Sequence, residues 1–332
     1  MKIRNRFHLS AAFFSVLLSS PISSVCAAEY LGTWDLRGNG QLDAVFRDVN
    51  VLRVVQGNGG TSEYTFGNSL WSFVGASDTD GQAGAELVVR AGGSLFVVDQ
   101  KVRKKREYSV GNIAWAVMRM HNVNSMPGNE ILLSIGNGVK VINDSARDVR
   151  NITFGYKGSW ALFDVVDMHP NDAGPVLVLN IGNGVKLINP RSGAQRDLTF
   201  PGYSQITAVA EVDGVPGLEV VGRTGSEVYV VSGGVASGGK RLFSAGTGAA
   251  WAIYEKIVDT DGKAGNDIIL VKVDGVGVVH PASGGISHYS IPRGVASIQG
   301  TSNMDGQPGD EIIARNPVNQ TFIINDRLGQ VQ

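Results

Sequence analysis

Asp78-Thr79-Asp80-Gly81-Gln82-Ala83-Gly84-Ala85-Glu86 is one of seven related stretches in this chain. Close copies begin at Asn122, Asp259 and Asn303 and end at Glu130, Asp267 and Glu311. Looser copies run from Asp167 to Val176 and from Glu211 to Glu219, and a divergent first copy runs from Asp35 to Asp43. The starts at Asp35, Asp78, Asn122, Asp167, Glu211, Asp259 and Asn303 are separated by 43, 44, 45, 44, 48 and 44 residues. A period this regular predicts a repeat architecture.

Each repeat has the same internal order. In the second, Trp71 to Ser77 reads as a short apolar strand that leads into the acidic loop. Glu86 to Arg90 is a β-branched run, Ala91-Gly92-Gly93 a turn, Leu95 to Asp99 a third strand, and Glu107 to Val110 a fourth. The third and fourth repeats follow suit around Gly136-Asn137-Gly138 and Gly182-Asn183-Gly184. The 44 glycines, lacking a collagen period, fit many tight turns between short strands. Four antiparallel strands per repeat match one propeller blade. The expected fold is all-β: a single seven-bladed β-propeller spanning 29–332, with Tyr30 to Trp34 opening the first blade and each blade built from consecutive strands.

The segment before it reads differently. Lys2, Arg4 and Arg6 precede an apolar run from Leu9 to Val25, and small residues Cys26-Ala27-Ala28 follow. This is the pattern of a secretory signal peptide, residues 1–28, cleaved after Ala28. Serines and Pro21 interrupt the run, which disfavours a spanning helix. The expected location is secreted or periplasmic. Cys26 is the only cysteine, so the mature chain offers no disulfide. Without the segment, 26 basic residues face 30 acidic ones, a net charge of about −4. That balance argues against general nucleic-acid binding. No later stretch is long and apolar enough to span a membrane.

The loop pattern suggests chemistry. Carboxylates at alternating positions, a glycine, and a carboxylate eight residues after the first could wrap a hard cation. These repeats resemble FG-GAP repeats, also called VCBS or integrin-α-like repeats, whose loops have the form DxDGDGxxD. The resemblance covers nearly all of 29–332. It implies a seven-bladed propeller with Ca2+ between the first two strands of some blades. Asp78, Asp80 and Glu86, Asp259, Asp261 and Asp267, and Asp35, Asn39 and Asp43 are the positions that match the ligand pattern. The fifth position departs from it, with Gln82, Met126, Lys263 and Gln307, and the glycine stands at the seventh, as Gly84, Gly128, Gly265 and Gly309. The second reading is purely structural: Asp or Asn at the first position bonds the loop's own amides, and glycine supplies the positive φ.

Trp71, Trp115, Trp160 and Trp251 each open the first strand of a blade, with Tyr203 near the same place. Such aromatics could stack on sugars at blade junctions, or simply fill the space between blades. Lys101, Arg103, Lys104, Lys105 and Arg106 form a basic run on an outer hairpin, suited to an acidic partner or to a solvated edge. None of His121, His169, His280 and His288 has metal-ligand spacing, and no GxSxG or P-loop occurs. The expected function is non-catalytic recognition of a protein or cell-surface glycan through one propeller face, with no required cofactor. A lectin using the tryptophans and a propeller-based polysaccharide lyase or hydrolase are the alternatives.

Overall fold

The computed structural model describes residues 28–332 other than 68–69, 156–157, 171, 173, 236–237 and 247–249. The signal-peptide reading of 1–28, Cys26 included, falls almost wholly outside the described residues. The described residues contain no helix. They form seven sheets, each of four antiparallel strands taken in chain order. Blade 1 is β1 (Glu29–Trp34), β2 (Asp43–Asp48), β3 (Val51–Val55) and β4 (Thr61–Thr65). Blade 2 is β5 (Trp71–Ser77), β6 (Glu86–Ala91), β7 (Ser94–Asp99) and β8 (Lys104–Ser109). Blade 3 is β9 (Trp115–His121), β10 (Glu130–Ile135), β11 (Gly138–Asn143) and β12 (Asp148–Thr153). Blade 4 is β13 (Ala161–Val166), β14 (Val176–Asn180), β15 (Gly184–Ile188) and β16 (Gln195–Thr199). Blade 5 is β17 (Ser204–Ala210), β18 (Glu219–Thr224), β19 (Glu227–Val231) and β20 (Lys240–Ser244). Blade 6 is β21 (Trp251–Val258), β22 (Asp267–Lys272), β23 (Gly275–His280) and β24 (Gly285–Ser290). Blade 7 is β25 (Ser297–Ser302), β26 (Glu311–Arg315), β27 (Thr321–Asn325) and the short β28 (Gln330–Val331).

This is the seven-bladed β-propeller class read from the repeats. The chain divides into two compact units. One holds blades 1 and 2, and the other holds blades 3 to 7 with residues 77–82.

Burial explains the strand sequences. In blades 2 to 6 the second and third strands are largely buried on both faces, so they read as near-continuous apolar runs rich in Val, Ile and Leu. Outer strands such as β12 and β16 are mostly exposed and polar. The cores lie between adjacent blades. Val176, Val178, Val185 and Leu187 of blade 4 pack with Val220, Tyr229 and Val231 of blade 5. The same arrangement joins blades 5 and 6, and blades 6 and 7. Each buried Val, Leu or Ile contributes about 1.5–3 kcal/mol relative to exposure.

Polar stitches join the outer edges. Arginines in outer strands reach carbonyls in the next blade's outer turn. Arg150 bonds Pro190 O at 3.1 Å and also Arg191 O, and Arg196 bonds Gly234 O at 2.9 Å and Gly238 O at 2.7 Å. Arg241 repeats this on Pro281 O. The basic run of blade 2 behaves similarly. Lys105 donates to Thr65 O at 2.6 Å and lies over Phe66 and Phe96, while Arg106 pairs with Asp99 at 3.4 Å. Two of its cations are thus built into the first unit rather than left to solvent.

One contact between blades 4 and 5 fixes two residue choices. Phe200 stacks on Tyr229 with centroids 4.2 Å apart. Tyr229 lies opposite Gly222 across the β18–β19 pair, and a Cβ at 222 would overlap the Gln205 carbonyl oxygen and the Tyr229 hydroxyl. That hydroxyl is buried without a hydrogen-bond partner. Gly222→Ala should lower stability by about 1–3 kcal/mol through overpacking. Tyr229→Phe should leave stability unchanged or raise it by up to about 1 kcal/mol, because no bond is lost. Urea unfolding midpoints check both.

Candidate functional site

The seven acidic loops connect the first and second strands of the blades. Their side-chain oxygens turn inward on their own backbone. At the first position, Asp78 Oδ1 accepts from Gly81 N at 2.7 Å, Asn122 Oδ1 from Ser125 N at 2.8 Å, Asp259 Oδ1 from Gly262 N at 2.6 Å and Asn303 Oδ1 from Gly306 N at 2.7 Å. Asp35 accepts from Gly40 N at 2.7 Å and Asn39 N at 3.1 Å, and the Gly40 amide leads in holding its carboxyl below the usual range. At the third position, Asp80 accepts from Gln82 N, Asp213 from Val215 N, Asp261 from Lys263 N and Asp305 from Gln307 N, at 2.8–3.0 Å. At the ninth, Glu130 accepts from Val123 N, Glu219 from Val212 N, Asp267 from Thr260 N and Glu311 from Met304 N, at 2.7–2.9 Å. Glu86, the ninth residue of the second loop, is likewise buried.

The displaced glycine has a packing role. Gly309 has φ 101°, and a Cβ there would stand 2.9 Å from Gly262 N and Thr260 O of the preceding loop. Gly265 and Gly128 approach their preceding loops as closely. The next residue then donates across: Asp310 N to Asp259 O at 2.8 Å, Asn129 N to Asp78 O at 2.7 Å, and, in the first unit, Ala85 N to Asp35 O at 3.0 Å. In these pairs the backbone staples one loop to the loop before it.

Several of the loop carboxylates also meet side chains of the chain itself. Arg37 holds both oxygens of Asp43, at 2.8 and 3.1 Å. Asn124 bonds Glu130 at 2.6 Å, and Arg241 pairs with Asp213 at 3.2 Å. Lys263 pairs with Asp261 at 2.6 Å, and Arg327 with Asp305 at 3.1 Å. A calcium ion needs six to eight oxygens, and in these loops at least one oxygen of most of the side chains also accepts an N–H of its own loop. Asp78, Asp80 and Glu86 bring carboxylate oxygens within 4.8 Å of one another, as do Glu211, Asp213 and Glu219, and as Asp261 and Asp267 do with a nitrogen of His280.

His280 is a residue that sequence spacing did not single out. Its Nδ1 lies 2.9 Å from Asp267 Oδ1 and its Nε2 lies 2.9 Å from Ser287 Oγ. Asp261 and Asp326 stand at 3.7 and 3.6 Å. Burial alone would lower its pKa, but the Asp267 hydrogen bond and the charges of Asp326, Asp267 and Asp261 outweigh that and raise it. The serine–histidine–aspartate chain resembles a nucleophilic relay in connectivity. The signal was positional: blades 2, 3 and 7 have Asp99, Asn143 and Asn325 at the corresponding strand end.

The four tryptophans do not share one environment. Trp71 and Trp115 are only 4% and 5% exposed. Arg47 covers the Trp71 ring at 4.9 Å and donates to Trp71 O at 2.9 Å. Trp251 is half-buried, under Arg223 at 5.0 Å, which donates to Trp251 O at 3.2 Å. Trp160 is half-buried, donates from Nε1 to Gly136 O at 2.9 Å, and meets Phe154 edge-on. It lines a cavity of about 310 Å³ with Met118, Arg119, Ser134, Ala161 and Leu162. A second cavity, about 430 Å³, is lined by Pro201, Gly202, Tyr203, Gln205, Arg223 and Gly225. Tyr203 is 73% exposed, because Ser204 rather than an aromatic takes the buried start of β17. Both cavities sit at the blade ends away from the acidic loops.

No protein-family model matches the sequence. No curated protein matches it either. Among solved structures the chain is similar to BBS1N in complex with ARL6DN, at 14% identity over 92% of this chain and 94% of that one, TM-score 0.36. It is similar to a catalytically inactive virginiamycin B lyase from Staphylococcus aureus with quinupristin, at 16% identity over 89% and 94%, TM-score 0.36. The WD40 domain of SCAP from fission yeast is 14% identical over 77% and 66%, TM-score 0.36. At these values the comparisons bear on no more than the fold, which the seven sheets of this chain establish by themselves.

Glu219 yields a pH prediction. Burial pushes its carboxyl from 4.5 up to about 7, opposed by the Val212 amide and assisted by Asp213 and Glu211. Between about pH 4.5 and 7 the folded state therefore holds a proton that the unfolded state has lost. This contribution falls as pH rises through that window and levels off above it. Glu219→Gln should remove the slope, on the order of 1–3 kcal/mol between pH 4.5 and 8. Unfolding midpoints of both proteins across that range check it.

Proposed function

We propose that the chain is an exported, non-catalytic binding protein. It recognises a protein partner through the blade ends that carry Tyr203 and Trp160. The observation that carries this reading is a contrast between the two ends of the blades in the second unit. At the loop end, carboxylates are engaged by backbone amides and by Lys263, Arg241 and Arg327. At the other end, the cavity of about 430 Å³ opens beside the exposed Tyr203 ring and Arg223, and the cavity of about 310 Å³ beside Trp160, whereas the exposed apolar residues of the loop end, Met126, Val215 and Met304, line neither. Exposed apolar groups around a concave surface are what a protein side chain fills on docking.

The non-catalytic reading is supported by the acidic residues themselves. They recur with the repeat and serve the backbone, and the one relay-like set, at His280, is biased toward its protonated form. Export is supported by Lys2, Arg4 and Arg6 ahead of the apolar run and by Cys26-Ala27-Ala28 after it.

The test is crosslinking capture with the full chain as bait in the medium and envelope extract of its source. A partner should be recovered by the wild type and by Met126→Asp, which alters the loop end. It should be lost with Tyr203→Asp. Equal recovery by all three proteins, or loss with Met126→Asp alone, would contradict the assignment.

A further inference from the structure

The strip around Tyr203 is continuous across blades 4 to 7. Ser204 N donates to Gly182 O at 2.7 Å, and Thr224 Oγ1 to Pro201 O at 2.9 Å, which brings the connection into blade 5 against the end of β18. Arg223 reaches Trp251 of blade 6, and Trp251 pairs with Lys272 across β21 and β22. Ile291 N donates to Asp274 O at 3.1 Å, so the connection carrying Arg293 lies beside Val273. Asn316 Nδ2 donates to Pro292 O at 3.1 Å and Ala296 N to Arg315 O at 2.9 Å, which adds the end of β26.

Four cations line this strip: Arg223, Lys272, Arg293 and Arg315. Its carboxylates are Asp274 and Glu227. Among the described residues, none of the four cations forms a salt bridge to a carboxylate, although Lys263, Arg241 and Arg327 of the same unit all do. Arg223 is also held in place, with its guanidinium fixed on the Trp251 ring and carbonyl. A fixed guanidinium loses little freedom on meeting a carboxylate. Tyr203 and Val273, 73% and 63% exposed, alternate with these cations.

We propose that this strip docks an acidic segment of a partner protein, with a carboxylate on Arg223 and an apolar side chain in the cavity beside Tyr203. The inference rests on the proposed function and specifies the partner's chemistry. Lys272 meets the ring nitrogen of His288 at 3.3 Å and Arg223 the Trp251 carbonyl, both neutral partners, so these cations without carboxylates call for an anion. The interleaved Tyr203 and Val273 call for apolar side chains, which a peptide supplies and an anionic glycan does not.

The probe is a library of displayed random peptides, panned against the full chain with Tyr203→Asp as the counter-selection. Binders should carry Asp or Glu within two residues of an aromatic or aliphatic residue. Their affinity should fall about tenfold, roughly 1.4 kcal/mol, in the double variant Lys272→Gln/Arg293→Gln. It should fall likewise when salt is raised from about 50 to about 300 mM. The double variant avoids Arg223, whose loss would also disturb Trp251. Binders that depend on Tyr203 but lack acidic residues, or that ignore salt and the double variant, overturn the inference and leave the protein-binding reading intact. Failure to enrich any Tyr203-dependent peptide overturns both. Preferential binding of heparin or single-stranded nucleic acid over acidic peptides overturns the proposal in favour of a polyanion.

Discussion

The structure depends on a single repeated hydrogen bond, from the eighth amide of one acidic loop to a carbonyl near the start of the preceding loop. Asp310 to Asp259 and Asn129 to Asp78 are instances in the second unit, and Ala85 to Asp35 is one in the first. The bond forms only because the seventh residue is glycine. A side chain at Gly309, Gly265 or Gly128 would meet the backbone of the loop before it. The loop interior must then be self-sufficient, since its outer backbone is committed to a neighbour. Asx-type bonds at the first and third positions and the carboxylate at the ninth meet that need. The apolar second and third strands pack between blades whose spacing these staples hold.

The same economy sets the distribution of charge. Loop carboxylates accept from amides of their own loops and pair with Arg37, Arg241, Lys263 and Arg327. That neutralises the loop end of the blades. Among the described residues Arg223, Lys272, Arg293 and Arg315, toward the other end of the second unit, form no salt bridge to a carboxylate, while Arg119 there pairs with Asp164; Arg223 is fixed on Trp251. The acidic loops supply turn geometry, while the cations without carboxylate partners lie toward the opposite ends of the strands.

Much of this was legible in the sequence. The spacing of Asp35, Asp78, Asn122, Asp167, Glu211, Asp259 and Asn303 gave the seven blades. Strand order within Trp71 to Val110 also agrees with β5 to β8. The glycine shift to Gly84, Gly128, Gly265 and Gly309 was visible too. Its reason was not, because the atoms it must avoid lie a whole repeat away. The tryptophans were read as blade openers, which holds for Trp71, Trp115 and Trp251, while Trp160 immediately precedes β13. Arg47 and Arg223 cover two of the rings, Trp71 and Trp251, from the preceding blade, which no local pattern reports. His280 escaped notice because Asp267 is 13 residues back and Asp326 lies in the next blade. Tyr203 was noted for its place, but its outward turn follows from the buried Ser204 beside it.

Hydrogen–deuterium exchange of the full chain, with and without its captured partner, tests the division of labour between the two blade ends most directly. The account predicts slowed exchange on binding in 200–205, 223–226, 272–275 and 291–296, with the acidic loops at 122–130, 211–219, 259–267 and 303–311 unchanged. Protection concentrated in those loops, with the Tyr203 strip unaffected, would contradict it.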